Sequence, residues 1–173
     1  MQASNVRVPA QTRVSATVAL AVAIVAAATT AAAADRAKGS IALGKHSGTI
    51  SHVVMVRGPD AMDPGRSVLR LYFSAIDISA RVKACKTMSC ADQALVDGAS
   101  VDYGSASHLG YWVGLNGQLT QHSGGTGHDA FKLTTDKPDH LAGSLHIDDS
   151  GMGGAKVDAE FDATLAATMA SAN

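Results

Sequence analysis

The chain has 173 residues, a formal net charge of −1 at pH 7, 46% hydrophobic residues and 17% charged residues. A near-neutral chain without a basic cluster lacks the feature that binds a phosphate backbone, so we expect no nucleic-acid partner. The length and the hydrophobic content are those of a globular protein with a sizeable core.

The N-terminal segment has the pattern of a secretion signal. Residues 1–13 contain two arginines and no acid, and residues 14–34 are uncharged and rich in alanine. Ala32 and Ala34 occupy the small-residue positions that signal peptidase reads, which makes Asp35 the expected first residue of the mature chain. A retained membrane anchor is the alternative, because the uncharged run is about as long as a bilayer-spanning helix. Alanine contributes little to membrane insertion, so the composition favours cleavage.

Cleavage would leave residues 35–173, which we expect to form a single domain. The removed segment carries two arginines and no acid, so the formal charge would change from −1 to −3. We therefore expect a periplasmic or secreted protein that has no contact with a membrane after its signal is removed.

Cys85 and Cys90 are the only cysteines, and export to an oxidising compartment predicts a disulfide between them. Residues five apart in a continuous helix have Cα atoms about 8–9 Å apart, whereas a disulfide requires less than about 7 Å. If the two cysteines pair, a helix must therefore end or bend between them. Free thiols, or a redox or metal-binding role, are the alternatives.

The pattern of residues 35–173 predicts short strands separated by turns, interrupted by short helices within residues 78–96. Asn116-Gly117 predicts a two-residue hairpin. The final residues 166–173 are predicted to be a frayed tail. Strands are predicted over residues 40–43, 50–57, 68–76, 108–115, 118–122, 130–135, 140–147 and 156–165, with a weaker one over 100–103.

This order of elements predicts an all-β fold. We expect an antiparallel β-sandwich, immunoglobulin-like or related, with a short helical insert, following an N-terminal signal helix. A closed barrel is the alternative, because the pattern does not define the strand order.

Seven histidines raise the question of a metal site. His140 and His146 are predicted on one face of one strand, about 20 Å apart, so they cannot share an ion. No HExxH or Cys/His metal motif occurs in the sequence. If the fold assembles a site, His122 and His128 with Asp129 are the best candidates, because a glycine-rich loop lets them converge.

The remaining motifs give no catalytic site. The sequence contains no Gly-x-Ser-x-Gly elbow, and the glycines of residues 124–127 are not followed by the Lys-Ser/Thr of a phosphate loop. We therefore expect no catalytic residue and no cofactor. An acidic row is predicted on the outer face of the last strand, neutralised by neighbours such as Arg70 or Lys132. A docking face for a basic partner, or a weak cation site, is its alternative. The row consists of Asp158, Glu160 and Asp162.

Three segments of the chain form a recognisable pattern. They are Arg57-Gly58-Pro59-Asp60, the apolar strand leading into residues 74–78, and Gly153-Gly154-Ala155-Lys156-Val157 running into residues 161–166. In these segments the chain resembles a family of small uncharacterised secreted or periplasmic bacterial proteins. The resemblance implies export but no activity, and no site residue transfers from it.

Two functional hypotheses follow from the sequence. The favoured one is an exported non-enzymatic β protein that binds an unidentified protein or small ligand, because a β scaffold carries long loops and no catalytic motif. The alternative is a periplasmic metal-binding protein that uses histidines brought together by the fold.

Overall fold

A computed structural model gives the structure of residues 35–60, 63, 65–104, 110–123 and 128–173, all of which belong to one compact unit. At residues 118–119, 121–123 and 128 it describes the backbone alone. The predicted signal helix and its cleavage positions Ala32 and Ala34 lie outside the described residues. Among the helices that the structure describes, none combines the length and apolar character needed to cross a membrane.

The described residues form ten strands, two α-helices and two 3₁₀ turns. The 3₁₀ turns are His128–Ala130 and Ser150–Met152. The helices are α1 (Ser79–Ala84) and α2 (Met88–Ala94). The strands are β1 (Arg36–Leu43), β2 (His46–Ile50), β3 (His52–Pro59), β4 (Ser67–Ser74), β5 (Gly98–Tyr103), β6 (Gly110–Leu115), β7 (Gln118–Ser123), β8 (Phe131–Lys137), β9 (His140–Asp148) and β10 (Ala155–Thr168).

All ten strands belong to one hydrogen-bonded sheet in which β10 joins two parts. In the first part, which we call the β9 half, the order is β2-β1-β10-β9-β8 and every pairing is antiparallel. In the second, the β4 half, the end of β10 leads into β3-β4-β5-β6-β7. The predicted all-β fold with a helical insert is confirmed. The purely antiparallel pairing is wrong, because the end of β10 runs parallel to β3.

The alternating sequence of β10 explains its central position. Its apolar side chains are buried in one core that also includes residues of the β4 half, such as Met55 and Phe73. Phe73 packs edge-on against Phe161 of β10, with ring centroids 5.5 Å apart. Because side chains alternate along a strand, the acidic residues of β10 project from the opposite face of the β9 half. The buried side of β10 consists of Val157, Ala159, Phe161 and Ala163.

The Asn-Gly hairpin is confirmed between β6 and β7. Asn116 has a φ of 54° and Gly117 a φ of 75°, the left-handed backbone that a tight hairpin turn requires at its two central residues. Asn tolerates this conformation better than most residues, and Gly adopts it without steric cost.

The helical insert covers the face of the β4 half that lies opposite the main core. A second apolar cluster joins Val82 of α1 and Ala91 of α2 to Val54 and Tyr72 of the sheet. A disulfide links Cys85 to Cys90, with Cα atoms 5.6 Å apart. The predicted interruption is confirmed, because α1 ends at Ala84 and α2 begins at Met88.

The C-terminal residues are not a frayed tail, so that expectation is wrong. β10 extends to Thr168, and Ser171 then forms a bridge with Thr87. The backbone amides of Met88 and Ser89 donate to the carbonyls of Ser171 and Ala172, at 3.0 and 2.9 Å. The tail thus satisfies amide groups that the first turn of α2 cannot bond within the helix.

Candidate functional site

The outer face of the β9 half carries a row of polar side chains across four neighbouring strands. Lys38 of β1 is opposite Glu160 of β10, Glu160 is opposite Ser144 of β9, and Ser144 is opposite Lys132 of β8. Adjacent strands lie about 4.8 Å apart, so Lys38 is one strand away from Glu160 and Lys132 is two strands away on its other side. The alternation that buries the apolar side of each strand brings these residues to one surface.

This surface is a groove of about 800 Å³, which we call the polar groove. Its charged lining consists of Arg36, Lys38, Lys132, Glu160 and Asp162. A second hollow of about 440 Å³ continues along Lys38 and Glu160 toward His146 and Asp158. Lys132 lines the same groove as Glu160 but lies two strands away from it, so the expected neutralisation of the acidic row by Lys132 stays a prediction.

Two histidine–aspartate pairs stand on either side of Glu160. His140 Nε2 lies 2.8 Å from Asp162 Oδ1, and His146 Nδ1 is hydrogen-bonded to Asp158 Oδ1. Each histidine has its own carboxylate on β10. The acidic row is thus paired at its two outer positions by β9.

The other four charged residues of the groove have a different environment. Within the part of the chain that the structure describes, the side chains of Arg36, Lys38, Lys132 and Glu160 form no hydrogen bond or close ion pair. All four are exposed. The groove therefore presents three cations and one anion whose hydrogen-bonding capacity is directed to solvent or to a ligand.

The predicted metal site is not tested. His122 belongs to β7 and His128 to a 3₁₀ turn, but their side chains lie outside what the structure describes. Asp129 is exposed. Among the described residues, no group of three His, Cys, Asp or Glu side chains could hold a metal ion. The site at His122, His128 and Asp129 remains a prediction.

A second charged arrangement, which we call the Arg70 cluster, lies between the β4 half and α2. Arg70 is only 3% exposed. Its Nε and Nη2 donate to the two carboxylate oxygens of Asp102, at 2.6 and 2.8 Å, and its Nη1 donates to Asp92 of α2 at 2.8 Å. The Tyr72 hydroxyl also donates to Asp92, at 2.8 Å, and Arg70 stacks over Trp112 at 4.3 Å from the ring centroid.

Burial is the largest single influence on the pKa of Arg70, Tyr72 and Asp102. Burial by itself would lower the pKa of Arg70, but the hydrogen bonds and charges of Asp102 and Asp92 outweigh it and raise the pKa. Burial raises the pKa of Tyr72, and the Asp92 carboxylate raises it further. Burial likewise raises the pKa of Asp102, against the opposing effect of Arg70. Arg70 therefore stays charged and Tyr72 stays neutral at any physiological pH.

The sequence interpretation missed this cluster. Arg70 was expected as a possible neighbour of the acidic row on the last strand, and that expectation is wrong because Arg70 pairs with Asp92 and Asp102 instead. A usable signal existed, since both faces of β3 are apolar, which implies a covering layer on both sides of the sheet. Arg70 lies on the neighbouring strand, on the face that α2 covers.

A smaller buried arrangement anchors the loop before β10. Tyr111 is fully buried, and its hydroxyl donates to Asp149 Oδ2 at 2.7 Å while accepting from the Ala155 amide at 3.3 Å. Burial raises the pKa of Tyr111 to about 12, and the hydrogen bond to Asp149 acts in the same direction. Trp112, the next residue along β6, is half-buried.

Comparisons of this chain with protein-family models, with curated proteins and with solved structures find no match. The geometry of the polar groove and of the Arg70 cluster is therefore the basis for the functional argument.

Proposed function

We propose that this chain is an exported, non-enzymatic binding protein whose ligand or partner segment lies in the polar groove and carries charges of both signs. The observation that carries the proposal is the set of exposed charges at Arg36, Lys38, Lys132 and Glu160, which line one groove without partners among the described residues. Exposed charges that are not used for folding are available for recognition, where they contribute to specificity and to the rate of association.

The arrangement of the charges favours a ligand of mixed charge over a purely anionic or cationic one. Lys38 and Lys132 attract an anionic group, but Glu160 lies between them and repels it. A segment that places a carboxylate on a lysine and an ammonium group on Glu160 satisfies both. Such a ligand is a peptide segment with alternating charge.

We propose further that the two halves of the sheet face each other as the two layers of a sandwich, of the immunoglobulin-like or a related kind. The support is that one core receives side chains from both halves, including Ile41 and Leu145 of the β9 half and Leu71 and Val113 of the β4 half. A sandwich presents the outer face of each layer, and the polar groove is the outer face of the β9 half.

The proposal of export rests on the sequence of residues 1–34 and agrees with the disulfide between Cys85 and Cys90. Asp35 already belongs to the fold, because its carboxylate accepts hydrogen bonds from the backbone amide and the hydroxyl of Thr164, at 2.7 and 2.8 Å. N-terminal sequencing of protein from the periplasm and the medium tests this, with Asp35 expected first. An N-terminus at Met1 in membrane-bound protein would overturn it.

Binding in the groove is tested with three labelled peptides of equal length, one with alternating Lys and Glu, one with Lys alone and one with Glu alone. We expect the alternating peptide to bind tightest in fluorescence anisotropy. The double variant Lys38→Ala, Lys132→Ala should weaken it by about fivefold.

The matched control removes two exposed lysines outside the groove, Lys83→Ala and Lys86→Ala. It should bind the alternating peptide as the unmodified chain does. Equal affinity for all three peptides, or equal loss in the two double variants, would refute recognition by the polar groove.

A further inference from the structure

We propose that a cavity between β5 and β8 binds an alkylated ammonium group, at a site separate from the polar groove. The cavity has a volume of about 420 Å³ and is lined by Tyr103, Gly104, Phe131, Leu133 and Asp136, which we call the aromatic cavity. Pockets for small ligands begin at about 300 Å³ and are lined by apolar and aromatic side chains with a few polar groups. This lining fits that description.

The cavity lies where β5 of the β4 half and β8 of the β9 half contact each other through side chains, without backbone hydrogen bonds between the two strands. Tyr103 lies beyond the last residue pair of β5 and β6, which is Val101 with Tyr111. Among the described strands, β8 pairs with β9 alone. Tyr103 and Phe131 are therefore in contact without a backbone ladder between their strands, and the cavity opens beside their rings.

Two aromatic rings form adjacent walls of this cavity. The rings of Tyr103 and Phe131 have centroids 5.4 Å apart and planes at 75° to each other. Phe131 also packs edge-on against Phe161, with ring centroids 6.1 Å apart and ring planes at 81° to each other. Rings at nearly right angles offer a cation two electron-rich surfaces, and such aromatic enclosures recognise quaternary ammonium groups.

Asp136 supplies the opposite charge. The Tyr103 hydroxyl donates to Asp136 Oδ2 at 2.7 Å, which fixes the carboxylate at the edge of the cavity. Within the described part of the chain, no lysine, arginine or histidine forms an ion pair with Asp136. A cation in the cavity beside the two rings would thus meet a carboxylate that the Tyr103 hydroxyl orients and that has no ion-pair partner among the described residues.

The aromatic cavity and the polar groove have different lining residues. Lys132 projects into the groove, whereas its neighbours Phe131 and Leu133 line the aromatic cavity, because side chains alternate along β8. The two sites share a strand but no lining residue, so each can fail its test without affecting the other.

The test uses the full chain and choline, which carries a trimethylammonium group. Its control ligand is the neutral carbon isostere of choline, in which a tert-butyl group replaces the trimethylammonium group. We expect choline to bind about tenfold tighter than the isostere in calorimetry. We also expect it to shift the ring-proton NMR signals of Tyr103 and Phe131.

The variant Asp136→Asn keeps an acceptor for the Tyr103 hydroxyl but removes the charge, and it should weaken choline binding by about tenfold. Asp139→Asn, at an exposed aspartate outside the cavity, should leave binding unchanged. Phe131→Leu should also weaken binding, and its urea unfolding curve shows whether the fold is kept. Equal affinity for choline and its isostere, or equal loss in both aspartate variants, would overturn the proposal.

Lipid vesicles distinguish whether the bound ammonium group belongs to a lipid headgroup or to a free small molecule. Co-sedimentation with phosphatidylcholine but not with phosphatidylglycerol vesicles, together with choline binding, would assign a lipid headgroup. Choline binding without co-sedimentation would assign a free small molecule. Binding to neither choline nor phosphatidylcholine would refute the ammonium site.

Discussion

The Arg70 cluster and the polar groove contain the same kinds of charged residue in opposite situations. In the cluster, Arg70 directs hydrogen bonds to Asp92 and Asp102 beneath α2 and is almost fully buried. In the groove, Lys38 and Glu160 are opposite each other on neighbouring strands, yet both remain exposed and they form no close ion pair. The difference separates charges that are paired within the fold from charges that remain exposed to solvent.

The two regions should differ most in their energetics. Removing one partner of a buried ion pair leaves an uncompensated charge and costs about 3–5 kcal/mol. An exposed pair is worth about 0–1 kcal/mol, because water and salt screen it. Unfolding free energies of variants with the same kind of substitution in the two regions therefore distinguish charges that stabilise the fold from charges that do not.

The largest effect is expected for Arg70→Met, which retains much of the side-chain volume but removes the charge between Asp92 and Asp102. The free energy of unfolding in urea should fall by about 3–5 kcal/mol. Arg36→Met, at an exposed arginine of the groove, is the matched control and should change it by less than about 1 kcal/mol. Similar losses in the two variants would contradict the division between the regions.

The disulfide should affect the cluster side of the molecule selectively. In the double variant Cys85→Ser, Cys90→Ser, the short loop is no longer closed, and the unfolding free energy should fall by about 2 kcal/mol. Hydrogen exchange should accelerate in α2, which carries Asp92, more than in β9, which borders the groove. Equal acceleration in both elements would show that the disulfide does not act on the helical insert in particular.

Tyr111 provides a pH-dependent comparison between a buried and a half-buried tyrosine. Its pKa is raised from 10.0 to about 12, so its contribution to stability is complete below pH 10 and is lost as the pH rises from 10 toward 12. At pH 11 this loss is about 1 kcal/mol. Tyr111→Phe should therefore lose less stability than the unmodified chain between pH 9 and 11, measured by urea unfolding.

Tyr103 is the control for this measurement. Burial also raises its pKa to about 12, with Asp136 acting in the same direction, but its side chain is only half-buried. Water screens such a group, so Tyr103→Phe should change the pH dependence less than Tyr111→Phe does. If Tyr103→Phe changed the pH dependence more than Tyr111→Phe, the loss of stability at alkaline pH would not come from the buried Tyr111.

Much of the fold follows from local pattern. The alternation of β10 predicts which of its residues are buried, and Asn116-Gly117 predicts the turn between β6 and β7. The parallel pairing of β10 with β3 could not be predicted, because it joins residues more than a hundred positions apart and leaves no periodic signal. The ordered tail depends likewise on contacts between Ser171 and the start of α2.

The sites were predictable only in part. The outward acids of β10 follow from alternation, but their partners depend on which strands are neighbours. The register of β9 on β10 places His146 directly opposite Asp158, and it places His140 opposite Thr164, from where its ring reaches Asp162 diagonally. The Arg70 cluster required knowledge that α2 covers β4, and the aromatic cavity required knowledge that β8 approaches β5.

The smallest effect is expected for Glu160→Gln, which replaces a carboxylate by an amide at the centre of the polar groove. Glu160 has Asp158 and Asp162 about 6.5 Å away along β10 and a lysine on the neighbouring strand, so attractive and repulsive interactions nearly cancel. The unfolding free energy should change by less than about 0.5 kcal/mol.

The same replacement at Asp102 removes a charge that Arg70 holds by two hydrogen bonds, and it should cost about 2 kcal/mol. Glu160→Gln should instead appear in binding, by weakening the alternating Lys-Glu peptide, because the ammonium groups of the peptide lose their partner. A stability loss at Glu160 as large as that at Asp102 would mean that the groove charges stabilise the fold. It would contradict the proposal that the polar groove is a binding site.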